Sequence, residues 1–207
     1  TPLNAIIGYT EVLEEECECR DGMADLLPDL EKVLGSSKHL LDLINQVLDL
    51  SKIESGRSQL YLEKFYVADL IEDVVNTVRP LMEKNSNELL LDDRQLPEYL
   101  YTDRVKLKQV LLNLLSNAAK FTQNGQVWLV MESGDNEQNP EKWLTWVVRD
   151  TGVGITTEQA ERLFAPFTQA DTSTTREFGG TGLGLTISRS FCAMMGGAVE
   201  INESWTE

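Results

Sequence analysis

A row of polar side chains with helical spacing is the part of this 207-residue sequence that best suits chemistry. Asn113, Asn117 and Lys120 are spaced by four and then three residues, which puts them on one face of a helix. The opposite face is apolar and consists of Leu107, Leu111, Leu114, Leu115 and Ala118. A solvated face is the ordinary explanation, but it usually carries Glu and Lys, because Asn is a weak helix former. Two amide oxygens followed by one cation suit a hydrated divalent cation and phosphate oxygens.

A first glycine-rich segment, Asp150 to Gly154, follows an apolar run that predicts a strand. Gly152 and Gly154 permit a positive φ and a close approach of the backbone to a ligand. The Asp150 carboxylate can accept a hydrogen bond from the amino group of adenine, whereas guanine would present a carbonyl and leave the carboxylate unpaired. A plain turn after the strand is the alternative, and this segment alone does not decide between the two.

A second glycine-rich segment, Gly179 to Leu185, precedes a predicted helix over Thr186–Met195. Glycine backbone at a helix N-terminus forms an anion site. The segment lacks the Gly-Lys-Ser/Thr ending of a P-loop and the preceding strand of a dinucleotide-binding fingerprint. Because it follows the Asn row and Asp150 along the chain, the three features together predict a nucleotide pocket. Arg176 lies in a polar loop predicted over residues 171–180, where a phosphate contact and an exposed position fit the sequence equally well.

The elements that must position these residues fall into two parts. Residues 1–56 have apolar residues at helical spacing, which predicts two helices joined by a turn near Gly22 and ending at Gly56. Such a hairpin cannot bury its apolar seams alone, so we expect it to self-associate into a bundle. The neighbouring Cys17 and Cys19 are expected on the helix surface rather than at a metal site.

Residues 57–207 mix helices and strands. The sequence predicts a helix over Ala68–Lys84 that Pro80 interrupts, and a helix over Val105–Phe121 that Asp103 caps. Strands are predicted over residues 88–91, 126–131, 143–148 and 198–201. The run from Ser133 to Asn136 predicts a loop.

The charge and composition of the chain limit its partners. A net charge of −16 and a pI of about 4.4 disfavour nucleic acid and anionic membranes, because their phosphates would be repelled. No apolar run reaches the ~18 residues that a membrane span needs. Three cysteines, a sparse and odd number, fit a reducing cytoplasm. Thr1 in place of a starting Met predicts a piece of a longer protein, and leaves open a membrane anchor elsewhere in that protein.

In its motifs the chain resembles the sensor histidine kinases of two-component systems, in the style of hybrid kinases, over essentially its whole length. Asn113–Asn117 with Lys120 and Phe121 resembles the N box of the family. The G1, F and G2 boxes of the family are matched by Asp150–Gly154, Phe164–Phe167 and Gly180–Gly184.

The start of the chain, Thr1-Pro2-Leu3, resembles the end of the family's H box. The phosphoacceptor His would lie four residues before Thr1. His39, the only histidine present, lies in the second predicted helix and is expected to be a structural or surface residue.

The resemblance implies an α+β fold with two domains. Residues 1–56 would form a helical hairpin that dimerises into a four-helix bundle. Residues 57–207 would form a two-layer α/β sandwich with a mixed sheet, the Bergerat ATP-binding fold, without the family's final strand hairpin. The resemblance also implies ATP and Mg²⁺ as cofactors, a homodimer, and a response-regulator receiver domain as partner.

The resemblance assigns roles to single residues. Asn117 would coordinate Mg²⁺ with support from Asn113, Lys120 would neutralise phosphate charge, Asp150 would bind the adenine amine, and Thr1 would orient water for dephosphorylation of the regulator. The other ATP-binding residues implied are Phe121, Gly152, Gly154, Gly180, Thr181, Gly182, Leu183 and Gly184. The segment from 156 to 180 would be the ATP lid. Arg176 would supply the catalytic cation, because Gln169 stands near the position where many relatives carry an Arg.

The implied reaction transfers the γ-phosphoryl group from MgATP to the upstream His and then to a response-regulator Asp. Two other functions stay open at this point. A gyrase- or chaperone-type ATPase is opposed by Asn113, which stands where those enzymes carry a Glu that activates water, and an amide cannot act as a general base. A non-catalytic scaffold that dimerises and binds nucleotide is compatible with the sequence, because the acceptor position is not within it.

Overall fold

The computed structural model describes residues 2–18, 23–92, 97–136, 139–166 and 182–201. The chain divides into two compact units, Thr1–Ser58 and Gln59–Glu207.

The first unit is a helical hairpin. Helix α1 spans Pro2–Glu18, a 3₁₀ turn spans Ala24–Leu26, and helix α2 spans Leu27–Glu54. Pro28 lies in the first turn of α2, where its missing N–H costs nothing. The helix ends near Gly56 as predicted, two residues before this glycine, whose φ of 65° glycine adopts most readily. The two predicted helices are confirmed, while the predicted turn near Gly22 lies outside the described residues.

The hairpin buries small and polar side chains and leaves large apolar ones exposed. Thr10, Cys17 and Ser37 are buried, and the Thr10 hydroxyl donates a 2.8 Å hydrogen bond to the Ile6 carbonyl. The prediction of a surface position is therefore wrong for Cys17, because its side chain packs inside the hairpin. The exposed apolar residues of the two helices include Ile6, Tyr9, Val12, Leu13, Val33, Leu40, Ile44, Val47 and Leu48.

The described residues of the second unit form two sheets. Strands β1 (Glu63–Tyr66) and β3 (Tyr99–Thr102) form an antiparallel pair. Strands β2 (Glu88–Asp92), β4 (Gln126–Asn136) and β5 (Asn139–Asp150) form a mixed sheet in the order β2-β4-β5. β2 runs parallel to β4, and β5 runs antiparallel to it. The helical hairpin and the mixed sheet confirm the predicted α+β class.

The helices of the second unit within the described ranges are α3 (Val67–Lys84), α4 (Arg104–Phe121), α5 (Thr157–Arg162) and α6 (Gly184–Met194). The predicted alternation in β4 is confirmed, because Val127, Leu129 and Met131 all lie in the core. They pack in one cluster with residues of two helices, Leu70, Val74, Val78, Leu111 and Leu115. α3 and α4 are therefore held on the sheet by apolar burial, and α4 is the helix that carries the polar row.

Three local predictions are wrong. Pro80 does not interrupt α3, which continues to Lys84, because Pro80 lies on an exposed turn where water can reach the carbonyl that loses its N–H partner. The segment from Ser133 to Asn136 is strand rather than loop, since its pairing with β5 continues to Asn136↔Asn139 across an irregularity. No strand is found at residues 198–201. β1 and β3 have four residues each, too few for a clear pattern, and they were not predicted.

Candidate functional site

The N-terminal end of α4 is fixed by Asp103. Its carboxylate accepts hydrogen bonds from the Lys106 N–H at 3.0 Å, the Lys106 Nζ at 2.8 Å and the Tyr61 N–H at 2.9 Å. Burial alone would raise the pKa of Asp103, but these donors and the Lys106 charge outweigh it and lower the pKa. The predicted helix cap is confirmed, and it determines where the polar row begins.

The C-terminal end of α4 is fixed by two asparagines. Asn85 and Asn87 both donate to the Ala119 carbonyl, at 2.8 Å and 3.0 Å, and Asn87 also donates to the Thr122 carbonyl at 2.8 Å. These are carbonyls of the helix end, which have no partner within the helix. The last turn of α4 therefore keeps one position against the turn that follows α3.

The polar row lies along α4 between these two ends. Asn113, Asn117 and Lys120 are half-buried, so they border the core without being enclosed by it. Burial lowers the pKa of Lys120, since the ammonium loses part of its water. The Lys120 Nζ lies 4.8 Å from the centre of the Phe121 ring, and the Phe121 side chain is 37% exposed. The row thus offers amide groups, an ammonium and an aromatic face on one side of the helix.

Asp150 at the end of β5 has one carboxylate oxygen committed to the protein. Its Oδ1 accepts from the Gly152 N–H at 2.9 Å and from the Thr122 hydroxyl at 3.4 Å. Within the described ranges no hydrogen bond to Oδ2 is recorded, and the residue is exposed. This arrangement orients the carboxylate and leaves its second oxygen for a ligand. Thr122, which is fully buried, was not predicted.

The first glycine segment lies against the end of α4. The Phe121 carbonyl accepts from the Val153 N–H at 3.2 Å. A Cβ on Gly152 would collide with that carbonyl and would lie 2.8 Å from the Asp150 Oδ1. Gly154 differs from Gly152, because it has a φ of 68° and no atom within 4 Å of a built Cβ. The sequence predicted a positive φ and a close backbone approach for both glycines. In the structure the close approach is at Gly152 and the positive φ is at Gly154.

The second glycine segment meets the middle of α4. Gly182 has a φ of 68°, Leu183 is buried, and Gly184 begins α6 against the Asn113 side chain. The Asn113 Nδ2 donates a 2.8 Å hydrogen bond to the Ser188 hydroxyl, one turn further into α6. Ser188 was not predicted, because nothing local marks a serine within an apolar helix face.

Phe164 of the predicted F box is tied to α6. Its carbonyl accepts from the Thr186 hydroxyl at 3.1 Å, and the Arg189 guanidinium lies 5.6 Å from its ring centre. α5 just before it begins with a capping box of Thr156 and Gln159. Four predicted site residues lie outside the described part of the chain, namely Thr1, Arg176, Gly180 and Thr181, and so does Phe167.

Helix α4 contacts both predicted glycine segments. Asn113 contacts the second glycine segment at Gly184, and Phe121 contacts the first at Gly152. These two contact points are eight residues apart, which is about 12 Å along a helix. A carboxylate with a free oxygen lies at one end, and a helix N-terminus lies at the other.

Comparisons with known proteins identify the family of the chain. Residues 102–207 match the model for histidine kinase-, DNA gyrase B- and HSP90-like ATPases, and residues 1–56 match the model for the histidine kinase A phospho-acceptor domain. The chain belongs to the sensor histidine kinases. It carries both domains of a histidine kinase catalytic core.

Individual relatives show the same family. The autoinducer 2 sensor kinase/phosphatase LuxQ of Vibrio parahaemolyticus is 35% identical over 97% of this chain and 23% of its own length. The sensor protein GacS of Pseudomonas syringae is 38% identical over 99% of this chain and 22% of its own length. The chain therefore spans less than a quarter of these relatives. Full-length ShkA, solved in complex with AMPPNP, superposes with a TM-score of 0.74 at 29% identity, covering 94% of this chain and 38% of ShkA.

None of the described helices combines the length and the apolar character needed to cross a bilayer.

Proposed function

We propose that the site along α4 binds ATP with Mg²⁺, and that the γ-phosphoryl group passes to a histidine of the H box, N-terminal to Thr1. The observation that carries this proposal is the joint contact of α4 with both glycine segments, Phe121 against Gly152 and Asn113 against Gly184. An extended nucleotide has a base at one end and phosphates at the other. The distance of about 12 Å between the two contacts suits that shape.

The adenine base is assigned to the end with Asp150. Its Oδ2 has no recorded donor within the described ranges, while Oδ1 is fixed by Gly152 and Thr122. A fixed carboxylate oxygen accepts from an amino group and rejects a carbonyl in the same place. Phe121 precedes Thr122, which holds Asp150, and its exposed ring offers an aromatic face to the base.

The phosphates are assigned to the end with Asn113, Asn117 and the start of α6. A helix N-terminus and a lysine both attract phosphate oxygens, and Lys120 supplies the charge. No group of three or more His, Cys, Asp or Glu side chains among the described residues could hold a metal alone. An amide oxygen plus phosphate oxygens and water is a donor set that fits Mg²⁺, and Asn117 would supply the amide. Bound Mg²⁺ would neutralise charge on the phosphates.

The proposed reaction breaks the bond between the γ-phosphorus and the bridging oxygen, and forms a bond from phosphorus to an imidazole nitrogen. ADP leaves, and the phosphoryl group then passes to an Asp of a response regulator. Arg176 is proposed to stabilise the transferring group, and Thr1 to orient water in the reverse, dephosphorylating reaction. Because the amide of Asn113 cannot take a proton from water, we expect slow ATP hydrolysis.

A homodimer through the hairpin is part of the proposal. The apolar side chains exposed on α1 and α2, among them Ile44 and Leu48, form the surface that a second copy would cover. A four-helix bundle is the usual way in which two such hairpins bury apolar faces. A receiver domain is proposed as the second partner, in line with the family to which the chain belongs.

Calorimetric titration with AMPPNP, with and without Mg²⁺, tests the nucleotide site. We expect binding that depends on Mg²⁺ in the 207-residue chain and is lost in Asp150→Asn. The matched control is Asp69→Asn, which makes the same change at an exposed position on α3. Binding that survives Asp150→Asn, or that is lost equally in Asp69→Asn, would contradict the assignment.

A further inference from the structure

Ser188 and Gly184 lie four residues apart on α6 and therefore share one face of that helix. We propose that they are positioning residues: together they form a notch that holds the Asn113 side-chain amide, and so keep the polar row of α4 in place against the phosphate-binding start of α6. This inference rests on the proposed nucleotide site and adds residues to it. Neither was assigned this role by the sequence.

The hydrogen bond from Asn113 is the first observation. Its Nδ2 donates to the Ser188 Oγ at 2.8 Å, between residues 75 positions apart in the chain. Ser188 is only 2% exposed, so its hydroxyl needs a protein partner. Asn113 is the hydrogen-bond partner recorded for it within the described residues. The bond therefore satisfies a buried group and joins α4 to α6 at one point.

The absence of a side chain at Gly184 is the second, independent observation. A Cβ built there would collide with the Asn113 Oδ1, and would lie 2.9 Å from its Cγ and 3.1 Å from its Nδ2. Gly184 does not have the positive φ found at Gly182. Any side chain at 184 would therefore have to displace the Asn113 amide, so the glycine provides clearance for this amide rather than a special backbone conformation.

The two contacts fix the orientation of the amide. With the nitrogen bound to Ser188, the Asn113 oxygen lies toward Gly184, at the beginning of α6. That helix end attracts phosphate, and an amide oxygen is the kind of group that accepts from cation-bound water. Removing the Ser188 hydroxyl would free the amide to rotate, without touching the base end of the site at Asp150.

Comparing Mg²⁺–AMPPNP with adenosine shows whether Ser188 positions the phosphate end of the site or supports the folded domain as a whole. Ser188→Ala should weaken Mg²⁺–AMPPNP about 3- to 10-fold, the range expected for one lost hydrogen bond. Adenosine, which has no phosphates, should bind within about 2-fold of wild type. Ser188→Thr keeps the hydroxyl and should recover the AMPPNP affinity. In an Asn113→Ala background Ser188→Ala should have no further effect. The inference would be overturned if Ser188→Ala weakened the affinity for both ligands equally, or if the affinity losses of Ser188→Ala and Asn113→Ala added up in the double variant.

A thermal measurement tests the notch without nucleotide. Gly184→Ala should lower Tm by several degrees, because its methyl group collides with Asn113, and the double variant with Asn113→Ala should melt above the Gly184→Ala single variant. Gly8→Ala is the matched control, since no atom lies within 4 Å of a Cβ there. If the Tm losses of Gly184→Ala and Asn113→Ala added up in the double variant, the proposed notch would be contradicted. If the wild type failed to bind nucleotide while Asn113→Ala still restored the Tm lost in Gly184→Ala, the proposed function would be contradicted and the notch would be supported.

Discussion

Asp150→Asn should change which purine the site prefers, and not only how tightly it binds. In the wild type, Oδ1 accepts from the Gly152 N–H and the Thr122 hydroxyl, so Oδ2 is the oxygen proposed to bind the base. An asparagine at 150 satisfies the same two donors with its one oxygen. Its NH₂ group must then point to the base, where it meets the adenine amino group as donor against donor.

The expected magnitude follows from these contacts. The lost hydrogen bond to a charged oxygen contributes about 1.5–3 kcal/mol, and the donors left facing each other cost about 1–3 kcal/mol. The sum of about 2.5–6 kcal/mol corresponds to a roughly 10²- to 10⁴-fold weaker affinity for ADP. Inosine diphosphate carries a carbonyl at the same ring position, to which the new NH₂ can donate. Its affinity should hold or rise, so the ratio of the two dissociation constants should reverse.

The assay is calorimetric titration of both variants with ADP and with inosine diphosphate at fixed Mg²⁺. Far-UV circular dichroism and Tm provide the folding control, and both should stay near wild type because the Oδ1 contacts are retained. If Asp150→Asn weakened the two nucleotides equally, the reasoning that Asp150 reads the base would be refuted.

Three further predictions concern other parts of the molecule. Asp103→Asn should lower the free energy of unfolding by about 2 kcal/mol at pH 7, since it weakens a buried cap and its bonds to Lys106. The folded-state pKa of Asp103 is lowered, so its stabilisation is present above the unfolded pKa of about 3.9 and is lost as the pH falls through the folded pKa. Urea unfolding should therefore show the two proteins converging below pH 4, and a constant difference would contradict this. Because burial lowers the pKa of Lys120, its ammonium should lose its charge as the pH rises toward 10, and the affinity for MgATP should fall. Lys120→Arg stays charged and should keep its affinity over this range. If both proteins lost affinity in parallel, a contact of Lys120 with phosphate would be contradicted. Ile44→Glu should convert the dimer to monomer in sedimentation velocity while Asp42→Glu does not, and an unchanged dimer would exclude this face.

Periodicity made α4 predictable. One face of this helix packs into the core through Leu107, Leu111 and Leu115, and burial of one face imposes a 3.6-residue pattern on the sequence. The cap at Asp103 is equally local, since its acceptor and the Lys106 N–H are three residues apart. The same holds for the alternation in β4. These features are determined by neighbours along the chain.

Features that depend on partners far away in the chain could not be predicted from the sequence. Ser133–Asn136 has the composition of a loop, yet β5 supplies its backbone partners. Thr122 and Ser188 carry no local signal, because their partners are 28 and 75 residues away. The family resemblance implied Asp150 and Asn113 as site residues, but the residues that hold them in place emerge only from the fold.

Phosphoryl transfer tests the central claim most directly, measured in a protein that carries the proposed H-box histidine ahead of Thr1. The protein is incubated with ATP labelled at the γ-phosphate and Mg²⁺, and protein-bound label is followed beside the release of free phosphate. We predict label on histidine that is labile to acid and stable to base, slow release of phosphate, and loss of label in Asp150→Asn. Rapid release of phosphate without labelled protein would show a hydrolytic ATPase and contradict the account.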